Sequence, residues 1–262
     1  MAASLTFSCT PGNDLYRLLS ARALTTSRHA DPAAALAAAT PGSAVLLLAD
    51  GYPDAPTPLT PALAAAAVRK RLRVFVEFPA WLPELTVGPV RALQWERAVV
   101  SSTAFGSELA RGRILAVHAC RLVSVAASPA DLVAARVAGF DSAVFGLPAG
   151  ELPPLLFAHP AGSLLVATTK LSHFVTARYA PADAWRIVWR RILRWLLLDA
   201  AVDDLVWTPD VRPTHDAAEP LPHGAEAHAF RRGLAWFRAA RLLVHPDWQA
   251  RVGAAAQFPD RV

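Results

Sequence analysis

The chain is short of lysine, asparagine and cysteine. Lysine occurs only as Lys70 and Lys170, against 24 arginines, and Asn13 is the sole asparagine. This skew matches a GC-rich coding sequence, so composition by itself carries little functional weight. The two cysteines, Cys9 and Cys120, lie far apart in the chain. They form neither a metal-type spacing nor a disulfide framework, and a reducing, cytoplasmic setting is the expectation. No apolar run reaches the length of a membrane span. The start, MAASLTFSCTPGNDLYRLL, has no basic opening and no continuous apolar stretch, so no secretory leader is expected. The glycine motifs of common enzymes are missing too. There is no G-x-G-x-x-G dinucleotide fingerprint, no G-x-x-x-x-G-K-[ST] phosphate loop and no G-x-S-x-G elbow. No cofactor is expected.

What remains is a core-forming chain. Its 262 residues are 54% hydrophobic, enough for one large α/β domain, or one domain with a tail, and too apolar for global disorder. Net charge is +5. The arginines are scattered, apart from local clusters at 69-RKRLR-73 and 186-RIVWRRILR-194. A nucleic-acid surface would gather them in one stripe with interleaved aromatics, so these clusters read as solvated helix faces and no nucleic-acid partner is expected.

Residues 15–22 suit a short helix. Asp31 before Pro32 reads as an N-cap with proline in the first helical position, opening 32-PAAALAAA-39. Next comes 44-AVLLLA-49, a continuous apolar run of the kind buried on both faces of a parallel sheet. Thr60-Pro61 repeats the cap signal for a second helix over 61–71, and 72-LRVFVEF-78 is a second buried strand. Residues 44–78 thus form a βαβ unit, parallel by construction. Further strands are expected at 97–102, 113–119, 121–127 and within 132–147. A hairpin is expected over 154-PLLFAHPAGSLLVAT-168.

Helix 181-PADAWRIVWRRILRWLLLD-199 is the clearest element. Trp185, Val188, Trp189, Ile192 and Leu196 line one face and the arginines the other, so the tryptophans read as core packing. Residues 201–223 read as a proline-rich linker. A last helix is expected over 224–244, carrying an aromatic face of Phe230, Trp236 and Phe237. Together with Trp248, that face calls for cover from the first domain, a partner domain or a second copy of the chain. His215, His223 and His228 lie loosely in this region, and no metal site is expected there.

In open parallel sheets ligands bind beyond the carboxyl ends of the strands. The predicted strands deliver Asp50, Glu77, His118, Cys120 and Lys170 to such ends, with His173 just beyond. Carboxylates, imidazole, thiol and ammonium can do acid–base or nucleophilic work. Each also has a structural role open to it, as a turn cap, an ion-pair partner or a strand-end anchor. A small hydrolase or glycosidase-related enzyme built on these groups is therefore one reading.

The order of elements gives a second reading. An early βα unit, a sheet that turns antiparallel late, a polar hinge and a closing helix resemble class I glutamine-amidotransferase-like domains. The segment 163-SLLVATTKLSHFVTARYAPADAWRIVWRRILRWL-196 looks like the final hairpin, hinge and helix of the versions attached to carbohydrate-processing enzymes. The stretch 225-AEAHAFRRGLAWFRAARLLVHPDW-248 looks like the lead-in helix of a helical glycosidase-type domain. The resemblance implies a three-layer, flavodoxin-like α/β domain over residues 1–200. It implies a mostly parallel sheet with a late antiparallel hairpin, then the linker 201–223 and the segment 224–262. It also implies an accessory role and a small-molecule or sugar ligand. Two departures matter. The family holds its nucleophile in a G-x-C-x-G elbow, whereas Cys120 sits in 117-VHACRLV-123 without flanking glycines to allow that turn. The family's His-x-Glu is also incomplete, because His173 is followed by Phe174 and Val175. No catalytic residue is carried over.

Overall fold

The computed structural model describes residues 4–21, 25–117, 120–172, 179–180 and 182–198. The linker, the helix expected over 224–244, His118 and His173 lie outside the described residues. The elements run β1 (Ser4–Ser8), α1 (Asp14–Ser20), β2 (Thr25–His29), α2 (Pro32–Ala38), β3 (Ala44–Leu47), α3 (Pro61–Arg69) and β4 (Arg73–Glu77). They continue as β5 (Val90–Ala92), β6 (Arg97–Val100), β7 (Ile114–Val117), β8 (Arg121–Val123) and β9 (Leu132–Ala135). The last are β10 (Pro154–Ala158), β11 (Leu164–Ala167), β12 (Tyr179–Ala180) and α4 (Ala182–Leu197).

Ten strands form one mixed sheet in the order β12-β7-β6-β9-β10-β11-β4-β3-β1-β2. The five from β11 to β2 pair in parallel, and β11 turns back through the expected hairpin into β10. From β10 onward every pairing is antiparallel, so the antiparallel part extends past the hairpin to β9, β6, β7 and β12. The period-two alternation of each strand divides its side chains between two layers. Phe7, Leu46, Phe75 and Leu165 point to the side of α1 and α4, where they meet Leu15, Leu19, Trp185 and Trp189. Val45, Leu47, Val74, Val76 and Val166 point to the side of α2 and α3. This is a three-layer α/β fold.

The predicted helix starts are present. The Asp31 side chain accepts from the amide of Ala34 at 2.8 Å, and Thr60 does the same for Leu63 at 3.4 Å, each with proline in the first turn. In α4 the face carrying Trp185, Val188, Trp189, Ile192 and Leu196 is buried. Trp189 sets its ring edge-on to Phe75 at 5.4 Å and donates from Nε1 to the Leu171 carbonyl at 3.1 Å. Arg73 lies over the Trp195 ring at 4.3 Å, which fastens the far end of α4 to β4.

Three expectations need correction. Two strands, β1 and β2, precede the 44–49 run, where only the helices over 15–22 and 32–39 are expected from sequence. Residues 121–127 give only the short β8, which pairs with β5 in a separate ribbon. Residues 132–147 give only β9, and the rest is loop. Gly139 lies in that loop, past the end of β9: at φ +119° its Cβ position would lie 1.9 Å from the Ser142 carbonyl oxygen, so no side chain fits. Beyond it Phe140 and Phe145 stand 89% and 88% exposed, pinned at the base by Arg97, which donates to the carbonyls of Val137 and Gly139.

Candidate functional site

The chain leaves β1 through α1 to β2 on one side, then returns through α2 to β3 on the other. The carboxyl ends of β1 and β3 therefore flank the point where the winding reverses, the place where such sheets receive ligands. Cys9 and Thr10 follow β1, and Asp50 follows β3. Asp50 closes this point from within: its carboxylate accepts from the Thr10 amide, and from the Thr10 hydroxyl at 3.4 Å.

Glu77 ends β4, one strand further along. Its side chain is fully buried, and both oxygens are occupied. Oε1 accepts from the amides of Leu171 at 2.9 Å and Ser172 at 2.6 Å. Oε2 accepts from the Ala49 amide at 3.1 Å and the Ser172 hydroxyl at 2.9 Å. One carboxyl thus joins the segment after β3, the end of β4 and the segment after β11. Burial pushes its pKa up, against the opposing pull of Lys170 and of these donors. Lys170 is itself buried, and its charge reaches Glu77, Asp14 and Cys9.

Cys9 is enclosed in the same region. Burial, with the nearby Asp50 carboxylate, pushes its thiol up to about 12, although Arg28 pulls the other way. The Cys9 carbonyl accepts from the Arg28 guanidinium at 3.0 Å. Cys120 is also buried, beside Tyr52. The Tyr52 hydroxyl accepts from the Arg121 amide at 2.6 Å and meets the Thr169 hydroxyl at 3.5 Å, with its ring edge-on to Phe78. Burial raises the Tyr52 pKa, with Cys120 adding to the effect.

Of the sequence candidates, Asp50, Glu77 and Lys170 share this end of the sheet, and Cys120 adjoins it through Tyr52 and Thr169. Cys9 and Tyr52 escaped sequence reasoning. A signal for Cys9 exists: Leu5, Phe7 and Cys9 alternate with Thr6 and Ser8, a period-two strand running into the Thr10-Pro11-Gly12-Asn13 turn. Among the described residues no group of three or more histidine, cysteine or acidic side chains could hold a metal ion. The chemistry open to this end is narrow. Its carboxylates are engaged by backbone donors, and its thiol is protonated and enclosed.

No protein-family model matches the chain, and no curated protein does. Among solved structures it is similar to PurLQS from Thermotoga maritima, at 14% identity and a TM-score of 0.40. That match covers 75% of this chain and 100% of the other. Similarity at that level transfers no function.

Proposed function

We propose that this chain is a catalytically reduced, amidotransferase-like α/β domain with an accessory binding or interaction role, in a carbohydrate-processing context. The observation that supports this most is the saturation of Glu77. Four donors from the segments after β3 and β11 fill its two oxygens in a site closed to solvent. A general acid or base must reach a substrate proton, and a carboxyl so engaged has no free oxygen to offer. Cys9 favours the same reading, since a thiol raised to about 12 carries almost no thiolate at neutral pH. The carbohydrate context rests on the resemblance of residues 163–196 and 225–248 alone.

The test combines turnover with binding. The full chain is incubated with glutamine while ammonia is followed, and is then screened by thermal shift against sugars and small metabolites. The expected result is no ammonia release and a raised melting temperature with one sugar class. Sustained release of ammonia would defeat the reduced-domain reading, and a screen in which no sugar shifts the transition would remove the carbohydrate context.

A further inference from the structure

On the α2/α3 side of the sheet, those helices cover the parallel half. Over the antiparallel half no helix among the described residues takes their place. There the β5–β8 ribbon and the loop over 147–153 stand off from β9, and the space between them is a cavity of about 1020 Å³. A volume of that order suits a small organic ligand.

The lining has a definite chemistry. Arg91, half-buried on β5, and Arg111, exposed before β7, both contribute to it. Neither guanidinium has a hydrogen bond or ion pair with another described residue. Glu151, exposed, is the one acidic side chain in the lining. Three of the lining's serine hydroxyls are already committed as donors. Ser101 donates to the Ala130 carbonyl at 2.6 Å, Ser102 to Asp131 at 2.7 Å and Ser124 to the Pro89 carbonyl at 2.9 Å. A hydroxyl has one proton and two lone pairs, so toward the cavity these serines act as acceptors. Val125, Val133 and Leu152 supply apolar wall.

We infer that this cavity binds a small anionic polyol, a sugar-like body carrying a phosphate or carboxylate. The unpaired guanidinium groups match the anion, since their planar fork meets such oxygens two at a time. The serine oxygens match the hydroxyl protons of a polyol, and the apolar wall matches its C–H face. The site is separate from the strand-end cluster of Glu77 and Cys9, so glutamine turnover would overturn the proposed function and leave this inference standing.

Calorimetric titration of the full chain tests it, with ribose 5-phosphate and gluconate as probes and with ribose and inorganic phosphate as comparators. The variants are Arg91→Gln and Arg111→Gln, with Arg69→Gln on the exposed flank of α3 as control. Saturable binding of either anionic probe is expected, and which of the two binds tells phosphate from carboxylate. Each cavity variant should weaken it by about tenfold or more, while the control leaves it unchanged. Because Arg111 is exposed, its variant keeps the test open even if Arg91→Gln folds poorly. The inference is overturned if neither anionic probe binds, or if both cavity variants bind as wild type does. It is equally overturned if ribose or inorganic phosphate binds as tightly as the anionic polyols.

Discussion

Glu77 lies under the strand ends with no path to solvent, and burial raises its pKa above the ordinary carboxylate value of 4.5. A raised folded pKa means that the folded chain holds this proton more tightly than the unfolded chain. Its contribution is therefore fully present below the unfolded value and is lost as pH rises through the folded one. Glu77→Gln has no such proton to lose. Wild type should lose ground against Glu77→Gln as pH climbs above 4.5, measured by urea unfolding. Parallel curves would contradict the shift. The same sign applies to Cys9, whose thiol moves from 9.0 to about 12. Native protein should lose stability as pH rises above 9.0 toward 12, and Cys9→Ala should remove part of that slope. At about pH 8 iodoacetamide should leave Cys9 unmodified in the native protein and label it only after denaturation. Rapid native labelling, read by mass spectrometry, would show an accessible thiolate instead.

Among the elements, α4 buries both of its inner tryptophans, Trp185 and Trp189, in the core. Trp189 fills the space against Phe75 and also satisfies the Leu171 carbonyl, next to the amide that donates to Glu77. Trp189→Ala should cost about 3–5 kcal/mol in urea unfolding. Trp189→Phe keeps most of the ring and loses the donor, so about 1–3 kcal/mol is expected. A Trp189→Phe protein as stable as wild type would mean that the hydrogen bond does nothing. At the helix starts, Asp31→Ala should cost about 1 kcal/mol for the lost cap. These elements were legible because their signals are local. Proline after Asp31 or Thr60 fixes a helix start, and a tryptophan face at helical spacing fixes what it buries. Strand β2, TTSRH at the sheet edge, was not legible, because an edge strand is only half-buried and need not be apolar. The 132–147 stretch misled for the opposite reason. Its valines and phenylalanines look like strand, but β9 stops at Ala135, opposite the first residue of its partner β6, a constraint visible only in three dimensions.

At the scale of the whole molecule, the placement of Asp50, Glu77 and Lys170 at one end of the sheet followed from strand order. Their use did not. A carboxylate at a strand end reads identically in sequence whether it faces a substrate or a ring of amides, because the donors come from Ala49, Leu171 and Ser172, distant in the chain. The cavity beside β5 was invisible for the same reason, since Arg91, Ser101 and Ser124 meet only after the ribbon folds over the sheet. The central claim is that Glu77 binds the parallel half together and takes no part in chemistry. Its most direct test is the unfolding free energy of Glu77→Ala against wild type. Removing the carboxyl leaves three buried amides without an acceptor, and a loss of about 3 kcal/mol or more is expected. Catalytic side chains are commonly held at a cost to stability, so their removal leaves it unchanged or raises it. A Glu77→Ala protein as stable as wild type, or more so, would contradict the account.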